Sequence, residues 1–274
     1  MVVFHPSEGG KTPSWGPATA TTNFCEEDYH VTAYVAEFIN TLTNVGYGYY
    51  GLCGLWNNWH RRPFADFNLQ YLALLFVGIG SAAFHMTLQR AGQSADQISM
   101  FLGAAAVLHR VTTFNAPSRR WSVAILLTLG LALVFWAQMT LSKPIIHWVI
   151  FAAMVAVIWR RVAYLITTVT KKTMVAKTRR MARWGFVAFV SGYCFWVVDV
   201  YCCPELRVIR RALGLPWAWI FELHGWWHVL TSVGVYHYMV LADYLHLAST
   251  SQHTQLGKTA LQTPIVVESE ARRT

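Results

Sequence analysis

Charged side chains are scarce in this chain: Lys, Arg, Asp and Glu make up 13% of its 274 residues, about half the share that soluble domains usually carry. Its five cysteines are scattered and include no Cys-Xaa-Xaa-Cys pair, which argues against a disulfide-rich scaffold. No internal repeat is evident. The N-terminal region is polar and lacks the basic and apolar regions of a signal peptide, so we expect no cleaved leader.

Long apolar runs are the main feature that the chain does have. Hydrophobic residues make up 55% of it, and the mean hydropathy is +0.34. A helix needs roughly 20 predominantly apolar residues to cross a bilayer. The sequence therefore predicts an all-α integral membrane protein with seven transmembrane helices. The candidate segments are 31–55, 67–88, 95–113, 121–141, 145–168, 184–203 and 217–244.

The basic residues, which give a net charge of +9, fall between these apolar segments. Their placement indicates membrane orientation rather than binding to nucleic acid, which we do not expect as a partner. Positive charge is denser on the face that carries Arg119, Arg120 and residues 171–183, so we expect that face in the cytosol. The basic cluster at residues 207–211 is an exception, because it falls on the predicted lumenal face.

This orientation divides the chain into three parts. Residues 1–30 form an N-terminal lumenal segment, residues 31–244 form the membrane domain, and residues 245–274 form a flexible cytosolic tail. We expect a multi-pass protein of the endoplasmic reticulum or Golgi membrane. The chain shows no KDEL-type ending, and the sequence does not separate the two compartments.

Two histidine elements lie near the predicted lumenal ends of helices. His85 is about one turn from the end of the second segment, and His224 and His228 lie in the first turns of the seventh. The last two are four residues apart, so their imidazoles share one helix face, a spacing that suits zinc but that packing histidines also show. Asp96 and Asp199 fall at the same depth. Isolated polar residues placed at random would scatter across the bilayer, so this grouping favours a metal site.

Three neutral imidazoles leave an open position for water on a zinc ion, as in catalytic zinc sites. Zinc lowers the pKa of that water toward ~7 and polarises a carbonyl. Asp96 is then a candidate general base and acid, or else a carboxylate that stabilises a helix dipole. Ser81 shares a face with His85 and could donate to an oxyanion, or bond back to its own helix. Asp199 either orients a histidine or is an interfacial residue.

A second polar cluster precedes the first segment. Asn23, Glu26 and Asp28 are closely spaced, and Glu37 follows inside the apolar run. Carboxylate and amide oxygens suit calcium, although the glycine and the register of an EF-hand are missing. The alternative is an acidic N-cap that interacts with the helix dipole. That alternative alone does not explain Glu37, because a carboxylate two turns into an apolar helix needs a partner.

At these residues the chain resembles the alkaline ceramidases. That family shows Asp-Trp-Cys-Glu-Xaa-Asn-Tyr and then Ala-Glu-Phe-Xaa-Asn, which correspond here to residues 23–29 and 36–40. Its Gly-Ser-Xaa-Xaa-Phe-His-Xaa-Thr-Leu element is matched by residues 80–88, the carboxylate that follows by Asp96, and the closing His-Xaa-Xaa-Trp-His by residues 224–228. The similarity spans residues 23 to about 240.

The resemblance implies a seven-helix fold and a zinc ion held by three histidines, with a catalytic water that faces Asp96 and Ser81. The implied zinc ligands are His85, His224 and His228. It also implies calcium near the N-terminus. The implied calcium ligands are Asn23, the Phe24 carbonyl, Glu26, Asp28 and Glu37. Relative to the family pattern, Asn replaces Asp at position 23 and Asp replaces Asn at position 28, so the carboxylate count is unchanged.

The resemblance further suggests a lumenal disulfide between Cys25 and Cys203. The neighbouring Cys202 leaves the choice of partner open. A pair of buried thiols is the alternative.

The activity that the resemblance implies is zinc-dependent hydrolysis of the N-acyl bond of ceramide, modulated by calcium, with the substrate entering sideways from the membrane lipid. We expect Trp148, Ala152, Ala153, Phe195 and Trp196 to wall its pocket. A zinc-containing receptor of the progestin and adiponectin receptor type is one alternative, and the acidic stretch favours the ceramidase. An ion transporter is another alternative. It predicts polar residues throughout the membrane depth, whereas here they are expected to lie on one side.

Overall fold

The computed structural model describes residues 10–59, 68–113, 117–141, 144–168, 170 and 172–249. Within these ranges the regular elements are helices, besides an isolated β-bridge between Thr32 and Val35. The α-helices are α1 (Phe38–Thr43), α2 (Val45–Trp59), α3 (Leu69–Thr87), α4 (Arg90–Thr112), α5 (Arg120–Leu141), α6 (Pro144–Thr168), α7 (Lys172–Tyr201), α8 (Cys203–Leu213) and α9 (Leu223–Ser249). Short 3-10 helices cover Pro117–Arg119 and Trp217–Phe221. The all-α prediction is confirmed.

Four of the described helices are long and apolar enough to cross a membrane, which makes this a multi-pass membrane protein. They span Leu69–Thr87, Arg120–Gln138, Ile145–Thr168 and Met174–Tyr201. The predicted count of seven spans remains a prediction, because the other three predicted segments are not among these four. Of these four spans, the one in α5 is the least buried: Ile125, Leu129 and Trp136 are exposed on it, as expected of a helix that faces lipid.

The first predicted helix begins later than expected and is divided. The backbone N–H groups of Ala36 and Glu37 donate to the carbonyls of Met86 and His85, at 2.9 and 3.0 Å. They hold Glu37 in an extended conformation, and α1 starts at the next residue, Phe38. The contact binds the N-terminal segment to the end of α3, where the histidine element lies.

Other elements also differ from the prediction, including α4, which begins at Arg90 instead of residue 95, and α9, which begins at Leu223 instead of residue 217. The sixth predicted segment, 184–203, is the end of a longer helix, α7, that begins at Lys172. The charged helix α8 was not predicted, because its 11 residues are too short and too polar for a membrane span. The last helix continues to Ser249, into the region assigned to the tail. Residues 1–9 and 250–274, which contain most of that predicted tail, lie outside the described residues.

Helices α3 and α4 approach each other closely because glycines face the contact. A Cβ atom at Gly80 would lie 3.0 Å from the backbone of Ala95 and Asp96, and one at Gly92 would lie 2.8 Å from the Cα of Phe84. Any larger residue at these two positions would push the helices apart. The approach at Gly80 brings the neighbouring Ser81 beside Asp96.

A buried polar network lies at the end of the bundle away from the histidines. The Asp243 carboxylate on α9 accepts hydrogen bonds from Tyr71 at 2.7 Å and Gln70 at 2.9 Å, and pairs with Arg110 at 2.9 Å. The sequence interpretation placed the polar residues on one side of the membrane, so this second cluster corrects it. On α3, the buried residues Leu74 and Val77 lie between the network and the histidine end, so apolar packing separates the two polar regions.

Candidate metal centre and its cavity

The structure brings His85, His224 and His228 together. His85 lies in the last turn of α3, and the other two lie in the first turns of α9. All three are buried, and ligand atoms from the three side chains lie within 4.8 Å of one another. Within the part of the chain that the structure describes, this is the one such group of three or more His, Cys, Asp or Glu side chains.

Two of the three rings are oriented by hydrogen bonds at Nδ1. The Nδ1 atom of His85 pairs with the carboxylate of Glu37. The Nδ1 atom of His228 lies 3.0 Å from the Thr43 hydroxyl, whose own proton is directed to the carbonyls of Ile39 and Asn40. Both Nδ1 atoms are therefore assigned as donors, which leaves the Nε2 lone pairs free for a metal ion.

His224 is held through its backbone and by stacking. Asp199 accepts hydrogen bonds from the backbone N–H groups of His224 at 3.3 Å and Cys25 at 3.2 Å. The carboxylate thus stabilises the start of α9, where N–H groups lack partners within the helix. The ring of Phe24 stacks on the His224 ring at 3.6 Å between centroids. Asp199 therefore positions this histidine through its main chain rather than through its ring.

These features fit a divalent metal ion with nitrogen ligands. Within the described residues, the Nδ1 atom of His224 is buried without a hydrogen-bond partner, a costly state that a ligand would relieve. Zinc–nitrogen bonds of about 2.0–2.1 Å would draw these ligand atoms closer together than the present limit of 4.8 Å. Neutral, buried imidazoles are also the protonation state that a metal needs.

The acidic residues of the N-terminal segment have different hydrogen-bond partners. The Glu26 carboxylate accepts the backbone N–H groups of Ile39 at 2.7 Å and Asn40 at 2.9 Å, so it caps α1. Burial raises the pKa of Glu26 to about 8, against the effect of those two N–H groups. Asn23 donates to Asp28 at 2.8 Å. The N-cap alternative therefore describes Glu26, whereas Glu37 finds its partner in His85.

Calcium is still compatible with this cluster. The backbone N–H of Phe24 and the side-chain amide of Asn40 both donate to Glu37, at 3.0 and 3.3 Å. The side-chain oxygen of Asn40, next to both Glu26 and Glu37, has no hydrogen-bond partner in the described part of the chain. An oxygen-binding cation could take up this oxygen together with the neighbouring carboxylates.

A disulfide joins Cys25 to Cys203, so the structure selects Cys203 and leaves Cys202 free and exposed. The contact fastens the N-terminal segment to α8. Arg210 strengthens the same contact, because its guanidinium donates to the Cys25 carbonyl at 2.7 Å and pairs with Glu222. The basic cluster at 207–211, which was the exception to the predicted charge distribution, therefore helps to attach the N-terminal segment to α8.

Glu27 adds a more exposed ion pair to this attachment. Its carboxylate lies 2.8 Å from the guanidinium of Arg211. Burial alone would raise the pKa of Glu27, but the hydrogen bond and charge of Arg211 lower it below its usual value. A pair this exposed contributes at most about 1 kcal/mol, so Arg210 and the disulfide matter more.

A cavity of about 570 Å³ opens beside the histidine centre. His224 and His228 line it, together with Ser81 on α3 and Asp96 on α4. Ser81 is buried, and its hydroxyl interacts with the Asp96 carboxylate. The cavity thus places a hydroxyl and a carboxylate beside two of the candidate metal ligands.

The remainder of the cavity wall is mostly apolar and aromatic. Trp148, Ala152 and Trp196 line it as predicted. Ala153 and Phe195 are not among its lining residues, and both are exposed. Successive residues on a helix point about 100° apart, and these two fall on faces of α6 and α7 that are turned away from the cavity.

The cavity extends in two further directions. A narrower apolar space of about 80 Å³ continues it past Met100 and Phe151 toward Tyr238 and Met239. On the outside, the lining residues Ile145, Val149 and Tyr193 of α6 and α7 are at least half exposed, so the cavity opens between these helices toward the surrounding lipid.

Sequence reasoning missed Thr43 and His147, and it did not predict the contacts that Phe24 and Glu37, assigned there to a calcium site, make with the histidines. Thr43 orients His228, the Phe24 ring stacks on His224, and Glu37 contacts His85. A carboxylate inside an apolar segment was a signal for Glu37, but nothing in the spacing of Thr43 identified its partner. His147 also lines the cavity and was not singled out.

Membrane-spanning helices and a buried three-histidine centre beside an apolar cavity define an intramembrane protein with a candidate metal site. The family model described as Ceramidase matches residues 16–267. The chain belongs to the ceramidase family, as its sequence motifs predicted.

Individual relatives are similar along most of their length. Alkaline ceramidase 3 of Mus musculus is 29% identical over 232 residues, which cover 84% of this chain and 85% of the relative. The alkaline ceramidase YPC1 of Saccharomyces cerevisiae is 27% identical over 248 residues, which cover 85% of this chain and 78% of the relative. An alkaline ceramidase of Arabidopsis thaliana is 26% identical over 229 residues, which cover 83% and 84%.

Proposed function

We propose that this protein hydrolyses the N-acyl bond of ceramide inside the membrane and releases a sphingoid base and a free fatty acid. The observation that carries the proposal is the buried histidine cluster in the wall of an apolar cavity that also holds Asp96 and Ser81. The names of the relatives, which are alkaline ceramidases, support the choice of reaction.

The proposed metal ion is zinc, held by His85, His224 and His228. When bound, zinc polarises the amide carbonyl and activates a water molecule. Asp96 accepts the proton of that water and later donates it to the leaving nitrogen. Ser81 donates a hydrogen bond to the oxygen on which negative charge develops. The water oxygen forms a bond to the carbonyl carbon, and the C–N bond breaks. Asp96 transfers the proton from the water to the leaving nitrogen.

The cavity opening suits a lipid substrate. Ceramide resides in the membrane, and the exposed lining residues between α6 and α7 give it a lateral route to the histidines. The apolar extension toward Tyr238 and Met239 has room for part of a hydrocarbon chain. The chains then lie on apolar walls while the amide group meets the polar end of the cavity.

The two alternatives make different predictions. A receptor of the progestin and adiponectin receptor type would also hold a metal on three histidines, so the cluster alone does not separate it from an enzyme. The ceramidase family match and the pairing of Asp96 with Ser81 favour the enzyme. A transporter is disfavoured, because apolar residues of α3 separate the two polar regions.

A metal and turnover assay tests the proposed function. Purified protein is expected to hold about one zinc ion per chain and to release fatty acid from one or more ceramides. Removal of zinc by a chelator is expected to abolish the release, and added zinc is expected to restore it. Stoichiometric zinc without any turnover on phytoceramide, dihydroceramide or ceramide would favour the receptor.

We also propose that calcium binds the N-terminal segment and modulates the enzyme. The proposed ligands are Asn23, the Phe24 carbonyl, Glu26, Asp28 and Glu37. Two of these carboxylates already have structural tasks, because Glu26 caps α1 and Glu37 contacts His85. Asp28, which accepts a hydrogen bond from Asn23, is therefore the cleaner position for a test.

Calcium is expected to raise the melting temperature of the purified wild-type protein, whereas magnesium is not. A ligand at a hundredfold excess over its Kd stabilises the folded state by roughly 2.7 kcal/mol. The variant Asp28→Asn is expected to lose most of this shift and to keep its zinc. If calcium leaves the wild-type melting temperature unchanged, or stabilises Asp28→Asn equally, the segment is a structural cap only.

We place the N-terminus in the lumen of the endoplasmic reticulum or Golgi and the C-terminus in the cytosol. The disulfide between Cys25 and Cys203 supports this orientation, because disulfides persist in oxidising compartments. We retain residues 1–30 as the lumenal segment with the calcium site, 31–244 as the membrane domain and 245–274 as the tail.

A further inference from the structure

We infer that His147 binds a hydroxyl group on the sphingoid backbone of the substrate and so selects among ceramides, an inference that rests on the proposed function. His147 lies in the first turn of α6 and lines the same cavity as His224, His228 and Asp96. It is not part of the metal cluster. The proposed hydrolysis gives it no task, so its presence in the cavity needs another explanation.

The surroundings of His147 are apolar. Its ring meets the edge of Phe101 at 4.7 Å and stacks on Phe151 at 6.0 Å between centroids, with an angle of 7° between the planes. These two rings hold the imidazole in one orientation. His147 is only 4% exposed, and in the part of the chain that the structure describes its Nδ1 atom has no hydrogen-bond partner.

A buried polar atom without a partner destabilises a protein, because its hydrogen bonds to water are lost and not replaced. Phenylalanine would fill the same space between Phe101 and Phe151 without that cost. A partner supplied by the substrate accounts for the histidine, since binding would satisfy the ring nitrogen. The cavity provides the access that such a partner needs.

His147 lines the same cavity as Asp96, so one ligand can contact both side chains. Its contact residue Phe101 lies five residues after Asp96 on α4, which corresponds to about 7.5 Å along the helix. The hydroxyl groups of a sphingoid backbone are attached within a few carbon atoms of the amide nitrogen. A ceramide whose amide lies beside Asp96 therefore keeps its hydroxyl groups inside the cavity, where the Nδ1 atom of His147 has no partner among the described residues.

The test compares substrates that differ by one hydroxyl group. One pair is phytoceramide and dihydroceramide, which differ at C4, and the other is dihydroceramide and its 1-deoxy form. In one of the two pairs, the variant His147→Phe is expected to lose roughly tenfold to a hundredfold in kcat/KM on the substrate that has the extra hydroxyl group. It is expected to lose little on the substrate of the same pair that lacks this group. Most of the loss is expected in KM. The variant His147→Asn, which keeps a donor and an acceptor, is expected to recover part of it.

Two controls separate substrate recognition from folding. Zinc content and melting temperature are measured for each variant, and His109→Phe serves as the matched change, because His109 lies at the other end of α4 outside the cavity. The inference is overturned if His147→Phe slows all substrates equally or slows none. It is also overturned if His147→Asn behaves like His147→Phe.

A binding measurement keeps this inference distinct from the proposed function. Sphingoid bases with and without the C4 or C1 hydroxyl are titrated into the protein, and the quenching of tryptophan fluorescence gives their Kd. If wild-type protein hydrolyses no ceramide, the proposed function fails, whereas a hydroxyl-dependent Kd that His147→Phe removes would still assign His147 to lipid recognition. If wild-type protein is active and neither Kd nor kcat/KM depends on His147, only this inference fails.

Discussion

Replacing His224 by alanine is expected to remove bound zinc and to lower ceramide hydrolysis by about a thousandfold or more. His224 is buried in the centre of the three-histidine cluster, and its Nδ1 atom has no other partner in the described residues. Two remaining imidazoles would hold the metal weakly, and carbonyl polarisation and water activation would be lost together. Zinc per chain and the rate of fatty acid release are the two measurements.

The matched control is His237→Ala on the same helix. His237 directs its ring to the carbonyl of Val233 and does not line the cavity, so the same change in residue type is expected to keep zinc and turnover. If the alanine variant does not fold, His224→Gln, which keeps more of the side-chain volume, is measured in its place. Full turnover or full zinc occupancy in a folded His224 variant would refute the assignment of this ligand.

The variant Asp96→Asn is expected to keep zinc and to lose about 10²–10⁴-fold in kcat, with a small change in KM. The amide has the shape of the carboxylate but cannot accept the proton of the attacking water. Asp96 lines the cavity beside Ser81 and is not part of the histidine cluster, so the metal site has no direct contact to lose. Steady-state kinetics together with metal analysis distinguish a role of Asp96 in proton transfer from a role in metal binding.

Asp243→Asn is the control for the loss of a carboxylate. Asp243 pairs with Arg110 at the other end of the bundle, outside the cavity. Breaking a buried ion pair usually destabilises by about 3–5 kcal/mol. This variant is therefore expected to lower the melting temperature while the folded protein keeps its kcat. If Asp96→Asn also loses stability or zinc and keeps its kcat, Asp96 has a structural role.

The candidate site could be anticipated from the sequence because its residues follow helical geometry. His224 and His228 share a face at a spacing of four residues, and Ser81 and His85 do the same, so each pair is determined within one helix. The depth of each pair follows from its position within an apolar segment. Family motifs joined these local patterns into one site.

The partners of Glu37 and Thr43 could not be obtained in this way. Glu37 directly precedes α1 and Thr43 ends it, and the position of α1 depends on hydrogen bonds from Ala36 and Glu37 to the end of α3. No local pattern encodes a bond between residues that are about 50 positions apart. The place of α8 is likewise not encoded locally, because the disulfide and the contacts of Arg210 with the N-terminal segment fix it.

The sequence by itself determined the helical class and the membrane environment, because these depend on composition and on the length of the apolar segments. It also indicated the family and the three histidines, through motifs that resemble those of the alkaline ceramidases. Only the tertiary structure decided which ring nitrogens are available, which cysteine pairs with Cys25, and that His147 shares the cavity with Asp96. Those features depend on side chains from distant segments, and packing at sites such as Gly80 sets the distances between them.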